Sequence, residues 1–124
     1  SVMITVAVLE DRKKTAEIFN ENGLSFNESS GCMQAVCGSD CLGCSLYSLD
    51  GDKIIIYKIY PLNDIMLADG ILRSTLHLAA RRVITNAYYT QDEELFERLG
   101  FIKDKSLKIL DITMLTKECC GGCK

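Results

Sequence analysis

The sequence predicts a single α/β domain over residues 1–124, with strands that pair at least in part antiparallel and helices between them. Three observations carry that prediction. Runs of β-branched and apolar residues (VMITVAVL, KIIIYKIY, VITNAYY) alternate with stretches of helical period. An Asp50-Gly51 pair joins two strand-like runs as a hairpin, so part of the sheet is antiparallel. A chain of 124 residues that is 48% hydrophobic and 25% charged suits one domain around one core.

Taken in order, Val2–Leu9 is apolar throughout, which predicts a strand covered on both faces. Asp11 can cap the helix that follows, residues 11–22, with Ala16, Ile18 and Phe19 turned inward; Asn22-Gly23 ends it. Residues 25–44 have little periodicity and many Ser, Gly, Asn and Cys residues, so they are expected to be mostly loop, with a short strand near Met33–Val36. Leu46–Leu49 and Lys53–Tyr60 flank the Asp-Gly turn, and Pro61 closes the second strand. The longest helical pattern is Leu67–Arg82. Its inner face is Leu72, Leu76, Ala79, Ala80 and Val83, and Arg73, His77 and Arg81 form a polar stripe at i, i+4, i+8. Val83–Tyr89 is a strand, Asp92 caps a short helix ended by Gly100, and residues 101–107 and 107–115 are two antiparallel strands. No internal repeat or linker is seen.

Net charge is −3 and no Lys/Arg run is present, which argues against a nucleic-acid partner. No apolar run approaches the ~20 residues of a membrane span, and the N-terminus lacks the basic-then-apolar layout of a secretory leader. The expected compartment is the cytoplasm, where grouped cysteines serve metals or redox chemistry more often than structural disulfides.

All seven cysteines fall in two short runs. Cys32, Cys37, Cys41 and Cys44 lie in the glycine-punctuated stretch 31–44, spaced Cys-x4-Cys-x3-Cys-x2-Cys; Cys119, Cys120 and Cys123 lie in the tail 119–124. Core cysteines would scatter along buried faces, whereas clustering points to thiolates gathered around something. Cys41-x2-Cys44 lets two sulfurs converge on one metal-sized object, with Gly43 relieving the turn. Adjacent Cys119 and Cys120 point to opposite sides of an extended chain and suit two metals better than one. Only one x2 pair stands in the first run and His77 is the single histidine, so an iron–sulfur cluster is expected ahead of zinc. All seven cysteines are the candidate ligands, with loop and tail sharing one site.

The element order resembles the GNAT acetyltransferase fold, which implies an α/β domain with a mixed, mostly antiparallel central sheet flanked by helices. The likeness is sharpest from Ile54 to Leu115, where an apolar strand ends near Pro61, Gly70-Ile71-Leu72-Arg73 opens a long helix, and LFERLGF precedes the last strands. The resemblance implies acyl transfer from acetyl-CoA, with an Arg/Gln-x-x-Gly-x-Gly/Ala loop around the pyrophosphate. That loop maps to Leu67–Leu72: Leu67 stands at the cationic or amide position, Leu72 at the second glycine, and Asp69 adds a negative charge. A family tyrosine that protonates the leaving thiolate maps to Phe96. These departures count against acetyl-CoA as the cofactor.

The expected function is therefore an iron–sulfur protein on a GNAT-like scaffold, serving electron transfer, redox or metal sensing, or cluster delivery to a redox or cluster-accepting protein. Two alternatives stay open: an acetyl-CoA-dependent N-acyltransferase with a cysteine-rich metal or redox site, and a thiol-based sulfur or electron carrier with a mobile C-terminal arm.

Overall fold

The computed structural model describes residues 3–116. Strands β1 (Thr5–Val8), β2 (Ser30–Cys37), β3 (Asp40–Asp50), β4 (Lys53–Tyr60), β5 (Asn86–Tyr89), β6 (Ile102–Asp104) and β7 (Ile109–Leu110) form one sheet. Helices α1 (Arg12–Glu21), α2 (Ile65–Arg81) and α3 (Glu93–Leu99) flank it, and a 3-10 turn (Ile112–Thr116) follows β7. The strand order is β1-β2-β3-β4-β5-β7-β6, and every neighbouring pair is antiparallel except β4–β5. This is the mixed, mostly antiparallel α/β architecture expected.

The sheet is covered unequally. On one face α2 and α3 close the main core, with Ile71, Leu72 and Leu76 set against Ile54, Ile56 and Ile59 of β4. A buried hydroxyl pair, Ser45 and Thr75 at 2.6 Å, ties β3 to α2, and Thr75 also donates to the Ile71 carbonyl. On the other face α1 closes a smaller cluster of Phe19, Cys32, Cys44 and Leu46.

Four expectations need correcting. Residues 25–29 are loop, but 30–44 are not: β2 and β3 form a long hairpin through this stretch, and the short strand expected near Met33–Val36 is part of β2. The hairpin's glycines serve packing and turning. Gly31 leaves room for the Tyr47 ring, where a Cβ would come within 2.5 Å, and Gly38 takes φ +63° in the turn. Nor is β1 covered on both faces; it is the sheet's edge, with Met3 and Ile4 beside it largely exposed. Helix α2 begins at Ile65, where Asp64 accepts from the Leu67 N–H, and Ala68, Ile71 and Thr75 replace Ala80 and Val83 on its buried face. The two long C-terminal strands are short β6 and β7 with the 3-10 turn after them.

Val83 is 86% exposed because it leaves the helix in a left-handed conformation, φ 60°. The Ile84 N–H reaches the Ala79 carbonyl and the Val83 N–H the Ala80 carbonyl, the bonding pattern that favours glycine at this place. A β-branched residue pays for that torsion without gaining contacts. Val83→Gly is expected to stabilise the fold by about 0.5–1.5 kcal/mol, read from the midpoint of urea denaturation.

Candidate functional site

The one parallel pairing in the sheet is also incomplete. β4 and β5 pair from Lys53↔Asn86 to Ile56↔Tyr89, but β4 runs on to Tyr60 without a β5 partner. The register against β3 jumps from Leu46↔Lys58 to Tyr47↔Ile56, so Tyr57 is an extra, bulged residue. A bulge bends its strand and sharpens the twist, which turns the end of β4 away from β5. The result is a fork that opens where strand pairing stops.

Side chains from the β5–α3 connection reach across it. The Thr90 N–H donates to the Ile56 carbonyl at 3.2 Å, and Thr90 Oγ1 donates to the Tyr57 carbonyl at 3.3 Å. The Ile59 N–H donates to Asp92 Oδ2 at 3.4 Å. Asp92 stands at the N-cap of α3, as the sequence indicates, yet makes no side-chain cap; its φ of 65° carries the carboxylate into the fork instead. Beside the fork, Leu62, Asp92, Glu94, Leu95 and Arg98 line a cavity of about 160 Å³. The Ile65 and Met66 amides stand at the start of α2 with no carbonyl one turn earlier, whereas Leu67 is capped by Asp64 and Ala68 donates to the Asp64 carbonyl.

Tyr89, at the end of β5, is buried and donates to Glu93 Oε1 at 2.6 Å. Burial, then the Glu93 carboxylate, pushes its hydroxyl up to about 12. On the other face Ser48 and Tyr57 share a hydrogen bond of 3.0 Å and Tyr60 donates to Asn22, so both tyrosines are tied into packing. Arg73 pairs with Asp69 at 2.9 Å, and His77 and Arg81 are exposed.

The expected metal site is not built. Cys32 is fully buried, Cys44 is 7% exposed, Cys37 is half-buried at the end of β2 and Cys41 is exposed. Strand geometry sets these sulfurs out along a hairpin, and among the described residues no group of three or more His, Cys, Asp or Glu side chains converges on one point. An iron–sulfur cluster or zinc ion at Cys32, Cys37, Cys41 and Cys44 is therefore withdrawn. Cys119, Cys120 and Cys123 lie outside the described residues.

No protein-family model matches the sequence, and no curated protein matches it. Solved structures do. The ribosomal-protein-S18-alanine N-acetyltransferase from Escherichia coli superposes with a TM-score of 0.63 at 15% identity, over 83% of this chain and 80% of that one. An acetyltransferase assigned to the GNAT family from Desulfovibrio desulfuricans gives 0.57 at 15% identity, over 84% and 87%. An acetyltransferase from Bacillus subtilis, solved in complex with CoA, gives 0.54 at 13% identity, over 90% and 94%. The fold is that of the GNAT acetyltransferases.

Placing the chain on the GNAT fold corrects the loop alignment as well. Leu67–Leu72 is not the segment between β4 and its helix; it lies inside α2, where Ala68, Ile71 and Leu72 are core residues. Leu67 and Leu72 are helix positions rather than degraded phosphate ligands, and the Asp69 charge is met by Arg73. The connection that faces the fork is Pro61–Asp64. Phe96 likewise packs against Tyr89, with ring centroids 5.2 Å apart. The loop-alignment ground for excluding acetyl-CoA therefore falls, while the iron–sulfur reading, which rested on cysteine spacing, falls with the hairpin geometry. Asp92 is the residue that sequence reasoning placed but misassigned: nothing local distinguishes a capping aspartate from one turned across to a distant strand.

Gly43 fixes the cysteine hairpin against this region. A Cβ there would stand 2.5 Å from the Tyr60 carbonyl oxygen and 2.9 Å from Pro61 and Ile71. Backbone and proline cannot yield as a side-chain tip can. Gly43→Ala is expected to cost roughly 1–3 kcal/mol in urea denaturation, whereas Gly70→Ala, with nothing within 4 Å, should be neutral or stabilising.

Proposed function

We propose that the protein is an acyl-CoA-dependent N-acyltransferase working at the β4–β5 fork. The observation that supports this most directly is the fork itself: two parallel strands that part beyond Ile56, with a β4 amide and a carboxylate facing each other across the gap. The residues present fit the group. Ile59 offers an N–H at the strand edge, the first-turn amides of Ile65 and Met66 offer donors at the positive end of α2, and Arg98 offers a cation on the cavity wall. At about 160 Å³ the cavity is below the ~300–1,000 Å³ of sites that enclose a drug-sized ligand. It suits the narrow acyl end, with the nucleotide lying on the open surface.

When bound, acyl-CoA supplies an activated acyl carbon and a thiolate leaving group. The chain's own contributions follow from its geometry. The Ile59 N–H is placed to donate to an oxygen that gains negative charge in the fork. Asp92, displaced from that N–H, is placed to hold an incoming primary amine and accept its proton. Asp64 acts against binding, since it puts a carboxylate at the helix end that the phosphates would approach.

Calorimetry with acetyl-CoA, together with mass detection of acylated amines, tests this reading; thiol-reactive dyes would report the chain's own cysteines. Asp92→Asn is expected to lower turnover by about 10²–10⁴-fold with acetyl-CoA affinity retained. Failure of acetyl-CoA to bind at millimolar concentration would overturn the proposal. Asp64→Asn keeps a capping side chain and removes the charge, and should tighten acetyl-CoA binding by about two- to fivefold, most visibly at low salt.

A further inference from the structure

Buried hydroxyls in this fold are paired, as desolvated polar groups require. Thr15, Ser30, Ser45, Ser48, Thr75 and Tyr89 are each 6% exposed or less, and each has a hydrogen-bond partner. Tyr47 is 3% exposed, yet among the described residues its hydroxyl has no partner and is not sealed from solvent. Gly31 sets where that hydroxyl stands. A Cβ there would come 2.5 Å from Tyr47 Cζ and 2.6 Å from Oη, so the missing side chain lets the phenol lie over β2. Tyr47 lines a cavity of about 190 Å³ whose walls include Val8, Leu49 and Leu78, with Arg12, Arg82 and Glu28 around them.

The charges on that wall are uneven. Arg12 Nη1 donates to the Ser30 carbonyl at 2.7 Å, Nη2 donates to the Asn27 carbonyl at 3.1 Å, and the guanidinium lies 4.8 Å from the centroid of Phe26. Carbonyls and a ring fix this cation without neutralising it, and N–H donors are left over. Among the described residues neither Arg12 nor Arg82 makes a salt bridge. Two guanidiniums against the Glu28 carboxylate leave one positive charge in excess. Burial pushes the Tyr47 phenol up to about 12, so it remains a proton donor at neutral pH.

We propose that this cavity binds a small aliphatic monocarboxylate, with Tyr47 Oη donating to a carboxylate oxygen, Arg82 and Arg12 flanking the charge, and the short chain against Val8, Leu49 and Leu78. One excess positive charge suits a monoanion. A phosphate dianion would leave charge unmet beside Glu28 and has no apolar part for the aliphatic wall. At ~30 Å³ per water the space equals about six waters, which suits an acid of roughly three to five carbons. The site is remote from the fork: Ile65 opens α2 there, and Leu78 lies thirteen residues on, roughly 20 Å at ~1.5 Å per residue. It is independent of acyl transfer.

Amide chemical-shift titration of the full chain with sodium butyrate, at constant ionic strength, tests this. Saturable shifts are expected at Gly31, Leu49 and Leu78, with half-saturation on the order of millimolar. Butyramide and inorganic phosphate should bind at least about tenfold more weakly. Tyr47→Phe keeps the ring and its packing and should weaken butyrate binding about tenfold; Arg82→Gln, at an exposed position, should weaken it about three- to tenfold. Asp92→Asn should leave it unchanged. The proposal is overturned by shifts that do not saturate, by butyramide or phosphate matching butyrate, or by full butyrate affinity in either Tyr47→Phe or Arg82→Gln. Loss of binding in Asp92→Asn would overturn it too, by placing the acid in the fork.

Discussion

Much of this molecule follows from how β4 is paired. Along one edge it is bonded to β3 for its whole length, and along the other it is bonded to β5 only as far as Ile56. Backbone groups beyond that point need partners, because an unpaired buried amide costs about 1–3 kcal/mol. Thr90 and Asp92 supply them from outside the sheet. A capping bond at α3 would contribute only about 1 kcal/mol. The balance accounts for an aspartate that gives up its helix, takes a left-handed torsion and reaches for a strand.

The tight joint on β4's other side keeps the fork in shape. Gly43 lets β3 lie against the Tyr60 carbonyl and Pro61, and the buried Ser45–Thr75 pair anchors the same strand to α2. The β4–α2 connection, which ends at the Asp64 cap, is thereby held from two directions. Rigid support on the β3 side and incomplete pairing on the β5 side together set the shape of the fork that Thr90 and Asp92 bridge.

The larger elements were legible because they rest on period and punctuation. The hairpin at Asp50-Gly51, both long helices and the stop at Gly100 all have local signals. What was hidden had none. In β2 Gly31 makes room for the Tyr47 ring and in β3 Gly43 meets the Tyr60 carbonyl and Pro61, contacts made with residues distant in the sequence. An apolar β1 reads as buried, yet it is the sheet's edge, since pattern cannot say how many neighbours a strand will have. Helix α2 starts two residues before Leu67, at the Asp64 cap, which puts the Gly70 segment inside the helix rather than before it.

Cysteine spacing shows why a motif has no fixed meaning apart from its backbone. Cys-x2-Cys in a turn aims two sulfurs at one centre, and further thiolates can complete a shell around an ion. The same spacing on an extended strand would send the sulfurs to opposite faces. A single bulge gives a third outcome, in which the two lie side by side at one pleat's distance and further cysteines can only lengthen the row. A row cannot surround a metal: coordination needs convergence, and along Cys32, Cys41 and Cys44 the pleat of the strands withholds it.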